Sequence, residues 1–131
     1  MSKEYNITAI KKIYAGNIKK QRDYVGCETI EEALSHVDFN EKDLEFVRVS
    51  GFRIPRDGGC EDLFEQNYFL GEIVSKEEVT DKEINQAMLR HEGFVRENEI
   101  ANYIKTASGS VYICFEGDKI LDTLKEHNHE V

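Results

Sequence analysis

The sequence predicts an α+β fold: one domain over residues 1–131, built on a largely antiparallel sheet with two or three short helices. Three observations lead there. Runs rich in β-branched and aromatic residues recur and are joined by Gly, Asn and Asp turns, with no regular helical crossovers between them. Helix-start signatures followed by helical spacing are few and short. A chain of 131 residues that is 40% apolar supplies one core, while two independent cores would each be too small. A mean hydropathy of −0.56 with 33% charged residues would fit a disordered chain, but seven Phe, six Tyr and a single Pro argue for a folded one.

The elements follow in order. Ile7 to Ala15 is β-branched and ends at Gly16-Asn17, so it is expected as the first arm of a hairpin returning through Tyr24-Val25. Thr29-Ile30-Glu31-Glu32 has capping-box spacing and starts a short helix to about His36 that should bury Ile30, Leu34 and Val37. Leu44–Ile54 reads as a long strand in which Gly51 marks a bulge or a close approach, and Pro55-Arg56-Asp57-Gly58-Gly59 ends it as a turn. Glu61–Gln66 is expected as a polar turn, with the next strand over Asn67–Val74, antiparallel to the last.

Two capping boxes come next, Ser75…Glu78 and Thr80…Glu83. Thr80 is expected to be the true cap, because Ile84, Ala87, Met88 and His91 then share one face of a helix ending near Gly93. Glu99–Thr106 and Val111–Phe115, separated by Ser108-Gly109-Ser110, form a second hairpin; the latter run is five β-formers without a breaker. After the turn at Glu116–Lys119, Ile120, Leu121 and Leu124 fit a short final helix.

Charge is uneven. Residues 1–22 carry six basic residues against Glu4, whereas residues 57–83 carry nine carboxylates against Lys76 and Lys82. A broadly acidic chain is a poor ligand for nucleic acid, so no broad nucleic-acid binding is expected, and the basic N-terminal segment is the one place whose charge is compatible with phosphate contact. A dense carboxylate surface is suited to a basic protein surface, including one built to bind phosphates. The expected docking residues are Asp57, Glu61, Asp62, Glu65, Glu72, Glu77, Glu78 and Asp81.

Chemistry-bearing patterns are sparse. Cys27, Cys60 and Cys114 are too far apart for a zinc site, and an odd count is no disulfide framework, so no metal or cofactor is expected. Cys60 lies among Asp57, Glu61 and Asp62, which disfavour a thiolate. His36 and His91 fall near helix C-termini, where a structural role competes with catalysis. Gly58-Gly59 lacks the Lys-Ser/Thr of a P-loop. Arg53, Arg56 and Cys60 frame a loop able to recognise an anion or a carboxylate.

The expected function is therefore a non-enzymatic acidic protein that docks on a basic protein partner, in its sharper form an inhibitor of a nucleic-acid-binding protein of the phage or mobile-element type. The alternative is a small enzyme or anionic-ligand binder using the Arg53–Cys60 loop, and a homo-oligomeric module is a third reading. No signal peptide or membrane span is read from the sequence, so the expected compartment is the cytoplasm.

Overall fold

A computed structural model describes residues 5–15, 20–25, 29–91 and 95–121, with the backbone alone at 5 and 20–25. The chain forms two compact units, Met1–Asn67 and Tyr68–Val131. The architecture is mostly antiparallel sheet with two α-helices and short 3-10 turns.

In the first unit, β1 (Tyr5–Tyr14) lies between β2 (Lys20–Val25) and β3 (Leu44–Ile54), antiparallel to both. The expected turn at Gly16-Asn17 lies outside the described residues. In the β1–β3 register Thr8, Ile10 and Lys12 face Gly51, Val49 and Val47. Period-2 alternation puts these on one side of the sheet, and Thr8, Ile10, Val47 and Val49 are all buried there. The bulge falls between Ile13 and Tyr14. At Gly51 the register is unbroken, and the glycine is required by close approach: a Cβ there would lie 2.3 Å from the Phe64 ring.

Helix α1 (Ile30–Leu34) begins where Thr29 Oγ1 accepts the Glu32 N–H at 3.2 Å. It is shorter than expected and buries Ala33, while Ile30, Leu34 and Val37 remain half-buried. A helix of five residues presents little more than one position squarely to a sheet.

β4 (Glu61–Leu70) starts six residues earlier than the sequence implies, so the polar turn expected at Glu61–Gln66 is strand. Its side chains meet those of β3 in antiparallel order: Arg53 with Glu61, Ser50 with Glu65, Arg48 with Asn67. These cross-strand polar pairs compensate for the low strand propensity of Glu, Asp and Gln.

In the second unit the tail of β4 pairs in parallel with β8 (Lys119–Leu121), through Tyr68↔Lys119 and Leu70↔Leu121. The final helix expected at Ile120 and Leu121 is thus a strand, and Leu124 lies outside the described residues. A helix started by so few residues gains too few hydrogen bonds to compete with a ready ladder. Gly71 separates β4 from β5 (Glu72–Val74), because a Cβ there would lie 2.5 Å from the Lys105 carbonyl oxygen. β5, β6 (Asn102–Lys105) and β7 (Val111–Cys114) form an antiparallel three-stranded sheet in that order. β7 is buried at all four positions.

Both capping boxes form, where only one was expected. Ser75 donates its N–H and hydroxyl to Glu78 Oε1 and opens a 3-10 turn, Lys76–Glu78. Thr80 and Glu83 exchange hydrogen bonds of 2.9 and 3.1 Å at the start of α2 (Asp81–Arg90). The turn stops after three residues, Val79 is extended and buried, and α2 then starts afresh, so the boxes act in series. The core of this unit joins Val74, Val79, Ala87, Tyr103, Val111 and Ile113, with Ile84 and Met88 packed against it, as the helical spacing predicts. Arg90 closes one margin of the sheet: its guanidinium donates to the Val111 carbonyl at 2.8 Å and stacks over Tyr112.

Candidate functional site

The eight carboxylates expected to dock a partner divide between the two units. Asp57, Glu61, Asp62 and Glu65 belong to the first and are exposed. Strand alternation along β4 sets Asp62 on the opposite face from Glu61 and Glu65. Glu61 accepts from Arg53 through Nε at 3.0 Å and through Nη2. Glu65 Oε1 is 3.5 Å from the Ser50 hydroxyl and 3.9 Å from Arg48 Nε. Two of these four charges are therefore offset by arginines of the neighbouring strand.

Glu72, Glu77, Glu78 and Asp81 belong to the second unit and are all exposed. Glu78 is turned back onto Ser75, whose hydroxyl and backbone N–H hold its carboxyl below the ordinary value. Thr80 does the same for Glu83 through its backbone N–H and then its hydroxyl. Glu72 stands opposite Lys105 in the β5–β6 register, and Lys105 Nζ lies 3.9 Å from Glu83 Oε2. A groove of about 370 Å³ opens here, with Val74 in its lining, Glu72, Glu78 and Lys105 along it, and Thr106 and Gly109 at the hairpin end. Glu72, Glu77 and Asp81 make no ion pair with a described residue.

The structure adds Lys105 and Glu97 to this group. Lys76 donates to Glu97, and this bond raises the lysine's pKa and lowers that of Glu97. Neither partner is adjacent in sequence, so spacing carried no signal for them. Glu83 was counted in the acidic stretch and read as a cap, but not as a docking residue.

The Arg53–Cys60 loop is a hairpin end, with Gly58 and Gly59 at φ of 97° and 88° and the Gly58 N–H on the Pro55 carbonyl. Arg56 and Cys60 are exposed, but Arg53 already carries Glu61. Cys114 is buried, and burial together with Asp118 pushes its thiol up to about 11. Cys27 lies outside the described residues.

The basic N-terminal segment is described in part: Lys3 and Lys19 lie outside the described residues, and so do the side chains of Lys20 and Arg22. Lys11 and Lys12 lie in β1 and are only 6% and 8% exposed. Lys12 Nζ is 3.5 Å from Glu41 Oε2, and the Tyr14 hydroxyl donates to Glu41 Oε1 at 2.6 Å. Lys12 thus belongs to a polar cluster with Glu41 and Tyr14, and Lys11 is buried in the same strand.

Among the described residues no group of three or more His, Cys, Asp or Glu is placed to hold a metal ion, and no helix is long and apolar enough to cross a membrane. Comparison with protein-family models, curated proteins and solved structures finds no match.

Proposed function

We propose that this protein is a non-enzymatic binding module whose second unit engages a basic protein surface through Glu72, Glu77 and Asp81. The observation that carries this reading is that these three exposed carboxylates fall within ten residues of chain and make no ion pair with a described residue. Carboxylates outside an ion pair keep more of their field for a partner, even with Lys105 opposite Glu72 in register and Lys76 beside Glu77, whereas Glu61 and Glu65 are offset by Arg53 and Arg48. A partner surface that normally receives phosphates has the matching sign, which makes inhibition of a nucleic-acid-binding protein the sharper form of the proposal.

Charge reversal tests it. With a basic partner recovered from nuclease-treated lysate, the triple change Glu72→Lys, Glu77→Lys, Asp81→Lys should slow association about tenfold at low salt, with dissociation changing less. Reversal of Glu61, Asp62 and Glu65 should slow it less. Affinity that ignores salt, or equal losses from the two triple changes, would overturn the assignment to the second unit.

A further inference from the structure

The hydrogen-bond phase of the three-stranded sheet determines what its outer margin offers. The Thr106 N–H donates to the Ser110 carbonyl at 2.9 Å, so the hydrogen-bonded pairs of β6 and β7 fall at Thr106–Ser110, Ile104–Tyr112 and Asn102–Cys114. The Val111 carbonyl then points away from β6, as its bond to Arg90 requires. Alternation directs the peptide groups of Tyr103 and Lys105 toward β5, where they meet Val74 and Glu72. Ile73 is left with its N–H and C=O directed away from β6, on the side where the Gly71 N–H donates to the Leu121 carbonyl at 3.0 Å, and β5 ends the three-stranded sheet among the described residues. Its side chain is 57% exposed.

Resting on the acidic-docking reading, we propose that β5 accepts an extended basic–apolar–basic segment of the partner as an added strand. The residue opposite Ile73 would exchange two backbone hydrogen bonds with it and lay an apolar side chain beside the exposed Ile73 side chain. The two flanking residues would project to the other face, the one that carries Glu72, Val74 and the groove with Glu78. Basic side chains are complementary to that face, where the carboxylates of Glu72 and Glu78 outnumber the single cation of Lys105 along the groove. β5 is only three residues long, so backbone pairing alone gives little affinity, and the carboxylates must supply selection.

The test uses a blocked hexapeptide of alternating Lys and Val and amide hydrogen exchange resolved at Ile73. Peptide should slow exchange of the Ile73 amide at least tenfold. Ile73→Pro removes the outward donor without removing a bond to β6, so it should keep the fold and weaken peptide binding at least tenfold. An Ile73 amide already protected in the free protein would overturn the proposal, since the chain itself would then cover the edge. Equal binding of peptide to wild type and Ile73→Pro would also overturn it. If Glu72→Lys with Glu77→Lys still weakens binding of the partner protein while Ile73→Pro does not, acidic docking stands and strand addition fails. If neither change matters, both fail.

Discussion

The two halves of the acidic segment have similar composition and opposite electrostatic fates. On β4, Glu61 and Glu65 lie across from arginines that the same hairpin places on β3, and strand alternation turns Asp62 to the other face. Between β5 and α2 the backbone changes direction twice within a few residues, at a 3-10 turn and at a helix start. There Glu78 and Glu83 are consumed by caps, while Glu77 and Asp81 keep no ion-paired cation among the described residues; Glu72, on β5 opposite Lys105, makes no ion pair either. A regular ladder pairs charges in register, and a succession of caps leaves some of them over. Counting carboxylates along a sequence therefore overstates what a strand can present and understates what a turn can.

That contrast can be broken at its geometric root. Gly71 lets the chain leave β4 and enter β5 against the Lys105 carbonyl, and a Cβ there meets backbone that cannot move aside. Gly71→Ala should destabilise the protein by about 3 kcal/mol, at the upper end of overpacking costs, in urea denaturation. Gly51→Ala meets the ring of half-buried Phe64, which has somewhere to go, and should cost about half as much by the same measure. A larger loss at Gly51 would show that the first unit is the less tolerant of the two.

Acid separates the units by a different route. Glu78 and Glu83 have pKa values below the ordinary 4.5 because their ionised forms accept hydrogen bonds from Ser75 and Thr80. A carboxylate depressed on folding stabilises the native state above its unfolded value, and that contribution is lost as pH falls through the folded value. The caps should therefore weaken from about pH 4.5 downward. Gln preserves the reach of a capping box without the charge, so Glu78→Gln with Glu83→Gln should lower the melting temperature at neutral pH and flatten its fall between about pH 5 and 3. An unchanged acid profile would show that the boxes do not couple to folding. The Lys76–Glu97 pair is common to both proteins and cancels in the difference.

The smallest expected effect sharpens the comparison most directly. Arg48→Gln with Arg53→Gln should release Glu65 and Glu61 and convert β4 into a surface with uncompensated carboxylates. Stability should change by less than about 1 kcal/mol at the exposed Arg53–Glu61 pair and by about 1 kcal/mol at half-buried Arg48, which also donates to Asn67 at 2.8 Å. Binding of a lysine-rich peptide at low salt should nevertheless rise, read by titration against the parent protein. No gain would mean that the arginines do not limit what the first unit presents.

Local patterns were legible wherever a residue's partners lie within four positions. Thr29 and Thr80 announced caps because the bonds they make close over three residues, and Ser75, set aside as the lesser of two neighbouring boxes, forms one as well. Leu44–Ile54 and Val111–Cys114 were legible as strands from composition, and the amphipathic spacing of Ile84, Ala87 and Met88 named the buried face of α2. Tertiary structure decided what depends on residues distant in sequence. It made a strand of Glu61–Gln66 by supplying arginines and Ser50 across the sheet, and another of Ile120-Leu121 by offering the tail of β4 as a parallel partner. It buried Lys11 and Lys12 in β1 and set Lys12 beside Glu41, against the exposure their charge implies. The physical reason is common to all three cases: hydrogen-bond spacing along a helix or turn is written in the chain, while desolvation and cross-strand pairing exist only once distant segments meet.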